Sequence, residues 1–211
     1  MDGLILGLDL CDGYTQLSCW GREENWTLPT AVCRQKDGGW LIGETAYATA
    51  LAGEGSVTDK LIRLVLQDGS DTIYGVKYRA VDLLKCFLEQ VFSLPLEEGK
   101  TVDGSMVKEL VITVPKMKAR LMDGLMYCAD QLRIPRSHVH VISHTEAFMY
   151  FVLSQTRDVW SNHVGLFDLS EKCLCYYEMK VQKNMGQVTA VAEREKLEEG
   201  FAWIFCPHRR V

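Results

Sequence analysis

Leu4-Ile5-Leu6-Gly7-Leu8-Asp9-Leu10-Cys11-Asp12-Gly13-Tyr14-Thr15-Gln16-Leu17-Ser18-Cys19-Trp20 is the stretch on which the fold turns. Leu4 to Leu10 is a nearly continuous apolar run, the pattern of a central buried strand. Cys11-Asp12-Gly13 is a tight turn, and Tyr14 to Trp20 runs back from it as the second arm of a hairpin. Pro29 to Arg34 reads as a third strand. After the Asp37-Gly38-Gly39 turn comes a short strand, Trp40 to Gly43.

Beyond this opening the period changes. Glu44 to Ala52 is rich in alanine and predicts a helix, and Asp59 to Leu66 a second short one. Thr72 to Tyr78 alternates around Gly75 as a small hairpin. Val81, Leu84, Leu88, Val91 and Phe92 recur at helical spacing and predict a helix over 78–92. Leu94 to Ser105 carries Pro95, Gly99 and Gly104 and reads as a loop. Leu110 to Val114 is a β-branched strand closed by Pro115. A helix over 116–132, a strand over 139–142 and a helix over 143–155, capped by Ser143, follow. Val164 to Asp168, Cys173 to Gln182 and Val188 to Arg194 read as three further strands.

The order is therefore three strands, small elements, then helix, strand, helix, strand, helix, and three strands again. That is an α/β arrangement: a mixed five-stranded sheet with flanking helices and right-handed crossovers. The second strand trio repeats the first. The expected organisation is a first lobe over 1–160, with a small inserted subdomain at about 35–105, and the opening of a second, incomplete lobe over 161–211.

Composition narrows the function. With 47% hydrophobic and 24% charged residues in 211, the chain has an ordinary globular balance and enough length for a core. Lys and Arg total 23 against 28 Asp and Glu, a net charge of −5. A mildly acidic chain lacks the basic face that nucleic acid or an anionic membrane requires. Eight cysteines without a CxxC spacing support neither a disulfide scaffold nor a zinc knuckle. No apolar run approaches the ~18 residues of a membrane helix, and Asp2 stands where a signal peptide would be basic. The expectation is a cytoplasmic protein with reduced, packed thiols.

Several segments carry a family likeness. Leu6-Gly7-Leu8-Asp9-Leu10 with Cys11-Asp12-Gly13-Tyr14 resembles the first phosphate loop of the actin and DnaK-type heat-shock chaperone superfamily, GIDLGTTYS in the chaperones. Pro29-Thr30-Ala31-Val32 and Leu41-Ile42-Gly43-Glu44-Thr45-Ala46 resemble their PSVV and IGEAA. Leu110 to Pro115 is similar to AVITVPA, and Val141 to Ala147 stands where INEPTAA would. Val164-Gly165-Leu166-Phe167-Asp168-Leu169 resembles the VFDLGGGT strand of the second phosphate loop. The likeness spans roughly residues 4 to 182, the front half of such an ATPase.

The resemblance implies roles. Asp9 and Asp168 would hold the water shell of Mg²⁺. Asp12, Gly13, Tyr14 and Ser170 would lie on the two phosphate loops, Lys60 near the catalytic lysine, and His144 in place of a glutamate. It also exposes departures. The first loop's glycine and two threonines become Cys11, Asp12 and Gly13. The second loop's glycines and threonine become Ser170, Glu171, Lys172 and Cys173. Such loops need small residues so that backbone N–H groups can reach phosphate. A carboxylate ~4 Å from a phosphate charge costs about 4 kcal/mol at an effective dielectric near 20. Asp12 and Glu171 each bring one, so Mg-ATP or Mg-ADP binding is expected to be weak or lost, and ATP hydrolysis weak or absent. The expected function is a degenerate nucleotide-binding fold that acts on protein partners or client peptides as an interaction or regulatory module. The alternatives are a functional chaperone-like ATPase of which this is the N-terminal part, and an actin-like filament or cell-division protein.

Other clusters carry less. His138 and His140 alternate on a strand edge and would face one side. Tyr150-Phe151 with Trp160 reads as core. Cys173-Leu174-Cys175-Tyr176-Tyr177 is an uncharged sheet strand, sticky if left as an edge. Phe201-Ala202-Trp203-Ile204-Phe205 is an apolar run that would seek a partner.

Overall fold

A computed structural model describes residues 3–97, 99–156, 163–169, 173–184 and 187–199. The chain divides into two units, Met1–Ile142 and Ser143–Val211, each considered in its own right.

The first unit is built around β1 (Leu4–Leu10), β2 (Tyr14–Cys19), β3 (Asn25–Pro29), β9 (Val107–Val114) and β10 (Val139–Ser143), in the order β10-β9-β1-β2-β3. β1 pairs antiparallel with β2 and parallel with β9, which makes the sheet mixed. This is the expected α/β class. Before β9 the chain leaves the sheet for β4 (Ala31–Gln35), β5 (Trp40–Ile42), α1 (Gly43–Leu51), β6 (Gly55–Asp59), α2 (Leu61–Leu66), the hairpin β7 (Ser70–Ile73) and β8 (Val76–Arg79), and α3 (Ala80–Val91). β5, β4 and β6 form a separate small sheet.

The third strand differs from the sequence reading. Two strands occupy the region, not one over 29–34. β3 ends at Pro29, which lacks the N–H to continue a ladder, and β4 departs to the small sheet. Trp26 and Leu28 alternate too briefly to announce β3 by pattern.

Helical spacing places the core. α3 buries Leu83, Leu84, Phe87, Leu88 and Val91 on one stripe. α4 (Ala119–Gln131) buries Leu121, Gly124, Leu125, Cys128 and Ala129 at the same spacing. With α2 these helices share one cluster with Leu6, Leu8 and Leu10 of β1 and Leu110, Ile112 and Val114 of β9. Cys11, Cys19, Cys33, Cys86 and Cys128 are not disulfide-bonded. Burial pushes Cys128 up to about 12, and raises Cys33 and Cys86 as well.

The second unit opens with α5 (His144–Ser154), capped by Ser143, whose Oγ accepts from the Glu146 N–H at 3.1 Å. β11 (His163–Leu169), β12 (Cys173–Asn184) and β13 (Gln187–Glu199) form an antiparallel sheet in that order. α5 packs against β13. Tyr150 and Phe151 are not core: they are 61% and 64% exposed. The buried positions on α5 are Phe148 and Val152, four apart, which turns 150 and 151 away. Trp160 and the run from Phe201 to Phe205 lie outside the described residues.

His138 is likewise not on a strand. It closes a 3-10 turn, Arg136–His138, with Nδ1 3.1 Å from the Val107 carbonyl oxygen, whereas His140 on β10 pairs Nε2 with Glu109 at 2.9 Å. Each imidazole is engaged separately, so they do not form a pair. Among the described residues no helix is long and apolar enough to cross a membrane.

Candidate phosphate-loop site

The carboxyl ends of β1 and β9 lie side by side, since Asp9 and Thr113 are register partners. In open α/β sheets such ends are where ligands settle. The Thr113 hydroxyl donates to Asp9 Oδ1 at 3.0 Å, and the Cys11 Sγ stands 3.9 Å from the same oxygen.

The loop from Cys11 to Gly13 is tied down from below. The Cys11 N–H donates to the Tyr14 carbonyl at 3.2 Å, and the Thr30 N–H to the Gly13 carbonyl at 2.8 Å. The Thr30 hydroxyl donates to the Cys11 carbonyl at 2.7 Å, and Thr15 Oγ1 stands 2.7 Å from Thr30 Oγ1. Thr15 and Thr30 are 0% and 1% exposed, so this staple is shielded from water. Hydroxyls placed there satisfy polar groups that burial would otherwise leave unpaired.

Asp12 reaches sideways to α2. Its Oδ1 accepts from the Arg63 N–H at 3.1 Å, and its Oδ2 lies 3.6 Å from Arg63 Nε. The residue in the N-cap position of α2 is Lys60, which has no acceptor to offer and sits in the left-handed region at φ 55 and ψ 42. A helix cap usually comes from the N-cap side chain itself. Here a carboxylate from a loop 51 residues distant supplies it. A lysine in this backbone conformation is strained by about 1–2 kcal/mol. Its side chain is exposed.

The anticipated residues therefore divide. Asp9, Asp12, Gly13, Tyr14 and Lys60 belong to the first unit, His144 and Asp168 to the second. His144 is the first residue of α5, and Asp168 stands on β11 opposite Cys175. Ser170, with Glu171 and Lys172, lies outside the described residues. The sequence reading assigned no role to Thr15, Thr30, Arg63 or Thr113. Thr30 and Thr113 sit inside the segments that carried the family likeness, and Arg63 one turn beyond Lys60, so the signal was their hydroxyl or charge beside a loop.

A magnesium nucleotide needs close backbone N–H groups and hard oxygen ligands. In the first unit the Cys11 N–H is spent within the loop, and a soft thiol stands beside Asp9. The donor set of this unit fits that group poorly.

Residues 13–207 match a family model described as "Family of unknown function (DUF5716) C-terminal". No curated protein sequence matches. Among solved structures, the chain is similar to MreB5 of Spiroplasma citri bound to ADP, at 14% identity and a TM-score of 0.53. The match covers 92% of this chain and 52% of that one, so the chain spans about half the length of this structural relative. The shared fold is that of an actin-like ATPase lobe.

Proposed function

This chain belongs to the DUF5716 C-terminal family, of unknown function, and we propose that it is an actin-like ATPase-fold protein whose first phosphate loop has been converted into a structural latch. On this reading it works through protein contacts, as a scaffold or regulatory module, with nucleotide binding weak or lost.

The observation that carries the proposal is Asp12. Its carboxylate caps α2 and meets Arg63 at the apex of the loop that would receive a phosphate. An incoming anion faces two unfavourable routes. If Asp12 stays, its charge and a phosphate charge at ~4 Å repel by at most about 4 kcal/mol at an effective dielectric near 20, a figure that the Arg63 guanidinium beside it reduces. If Asp12 swings away, α2 loses a cap worth about 0.5–2 kcal/mol. Either route weakens binding, from a few-fold up to about a thousandfold. The structural relative was solved with ADP, so the same ligand is the fair challenge.

Calorimetry with Mg-ATP and Mg-ADP tests this. The native chain is expected to give no heat at micromolar nucleotide, and Asp12→Gly to gain affinity. Micromolar binding by the native chain that Asp9→Asn abolishes would refute the latch and favour a working ATPase. The filament reading draws on the same fold likeness. It predicts light scattering that grows without limit as protein concentration rises, with nucleotide altering its onset.

A further inference from the structure

We propose that the cleft beside Trp20, at the amino end of β1, docks an extended acidic segment of a protein partner, with a carboxylate on Arg22 and Lys108 and an apolar side chain against the indole.

The cleft has a volume of about 460 Å³ and lies between the start of β1, the turn that leaves β2 and the start of β9. Backbone fixes its walls. The Trp20 N–H donates to the Ile5 carbonyl at 2.9 Å, and the Arg22 N–H closes the turn on the Cys19 carbonyl at 3.0 Å. Gly21 sits in that turn at φ 79, where a side chain would be strained. A firmly held turn thus presents Trp20, which is 83% exposed. Arg22 is anchored too, since its Nη2 donates to the Pro95 carbonyl at 3.2 Å. Lys108 is set by an irregularity in the strand pairing. Leu4 pairs with Val107 and Ile5 with Glu109, so Lys108 is the extra residue of a bulge, a feature that re-aims a side chain. A Cβ on Gly3 would come within 3.0 Å of the Lys108 Cβ, so the glycine makes room for it.

Charge names the occupant. Arg22 and Lys108 are the charged residues lining the cleft, and no carboxylate lines it. Glu109 is engaged by His140 at 2.9 Å, and Glu23 and Glu24 follow Arg22 without lining the cleft. In a chain of net charge −5 this is a local reversal of sign. Tryptophan and arginine are also the side chains that most often carry the energy of an interface. A carboxylate can take two N–H bonds from one guanidinium, while the indole face takes an apolar neighbour.

A small free acid fits less well. Such ligands are held by burying most of their surface, and a cleft whose aromatic wall is itself exposed cannot enclose one. A peptide runs past the rim and needs only two side chains seated. The contact is small, so binding is expected to be weak and to fall with salt. The inference rests on the reading that the chain works through protein contacts. It is separable from the latch, because the Cys11–Gly13 loop lies at the other end of β1, ~20 Å away by strand rise.

Two measurements on the full chain test it. Subtracting the fluorescence of Trp20→Phe leaves the Trp20 signal, which iodide is expected to quench more than caesium does. A Trp20 that neither ion reaches would mean that the chain's own residues fill the cleft, and would overturn the proposal. A dye-labelled peptide of glutamates around one leucine is expected to bind saturably at low salt, and its lysine counterpart not to. Arg22→Glu and Lys108→Glu are each expected to weaken binding roughly fivefold, and Trp20→Ala to weaken it as well. Lys36→Glu, an equal charge change at another exposed site of the first unit, is expected to leave it unchanged. Failure to saturate at millimolar peptide, an equal loss in Lys36→Glu, indifference to Trp20→Ala, or full competition by free glutamate or inorganic phosphate at the peptide's own concentration would each overturn the proposal. None of these outcomes bears on nucleotide calorimetry, so the latch and the cleft fail separately.

Discussion

β1 and β11 are two seven-residue strands with related sequences and opposite circumstances. Leu8-Asp9-Leu10 opens the first unit's loop, and Phe167-Asp168-Leu169 stands at the end of β11. β1 is hydrogen-bonded along both edges, to β2 and to β9, and its Leu6, Leu8 and Leu10 are at most 1% exposed. Among the described residues β11 is bonded along one edge, and its Phe167 is exposed. Similar strands thus acquire different roles from what flanks them. The parallel neighbour β9 and the helices α2 to α4 turn one into the centre of a core. Without an equivalent neighbour among the described residues, the other remains a surface.

The difference can be broken first at the core. Phe87 on α3 is fully buried in the cluster that β1 joins. Phe87→Ala is expected to cost about 3–5 kcal/mol, seen as a fall in the denaturation midpoint. Hydrogen exchange should quicken throughout the β1 sheet, while the β12–β13 amides keep their protection. Equal quickening of both sheets would mean that they unfold as one. Gly104 is the next point of attack. A Cβ there would strike the Arg133 carbonyl group and the Ile134 nitrogen, and backbone cannot rotate aside as a side chain can. Gly104→Ala is expected to cost about 1–3 kcal/mol by overpacking, checked by the same denaturation curve.

Much of this architecture was legible beforehand. β1, β2, α3 and α4 announce themselves because burial on one stripe or a whole strand leaves a periodic record in the sequence. β3 was missed because its alternation spans only Trp26 and Leu28 before Pro29 ends it. The site was less legible. Asp9, Asp12 and Asp168 stood out by type and place, but pattern cannot tell where a carboxylate turns. That Asp12 caps α2 depends on a chain reversal 51 residues long, and that His138 leaves the strand depends on a turn that Pro135 starts. Likewise Tyr150 and Phe151 looked like core by hydrophobicity alone, whereas their exposure follows from which side of α5 faces β13.

The staple beneath the loop offers a finer break. Thr30→Val removes a hydroxyl that bonds both the Cys11 carbonyl and Thr15. The Thr15 hydroxyl is then left buried without this partner, at a cost of about 1–3 kcal/mol. Adding Thr15→Val removes the stranded group as well. The double variant is therefore expected to lose less than the sum of the two single changes. Strict additivity in urea denaturation would show that the two hydroxyls act independently.

The smallest effect is expected at the exposed edge of the same unit, where Arg79, Asp82 and Tyr127 join the start of α3 to α4. Arg79 donates to Asp82 from Nε at 2.7 Å and Nη2 at 2.8 Å, and the Tyr127 hydroxyl donates to Asp82 Oδ1 at 2.8 Å. The Arg79 hydrogen bond, joined by that of Tyr127, holds the Asp82 carboxyl below its usual range despite some burial. Donation to Asp82 raises the Tyr127 phenol above its own. The signs are opposite. A lowered carboxylate stabilises the fold above the unfolded value of about 4, and that gain is lost as pH falls through the lower folded value. A raised phenol stabilises below about 10, and the gain is lost as pH rises through the higher folded value. Asp130, lowered by its own bond to Arg136, adds to the acid side, so the difference between native and variant carries the information. Subtracting the Asp82→Asn curve should leave a difference that is level at neutral pH and shrinks on acidification, and Tyr127→Phe should do the same on the alkaline side. Solvent around the three groups keeps both differences small. A difference flat across the whole range would mean that the network records geometry without contributing stability.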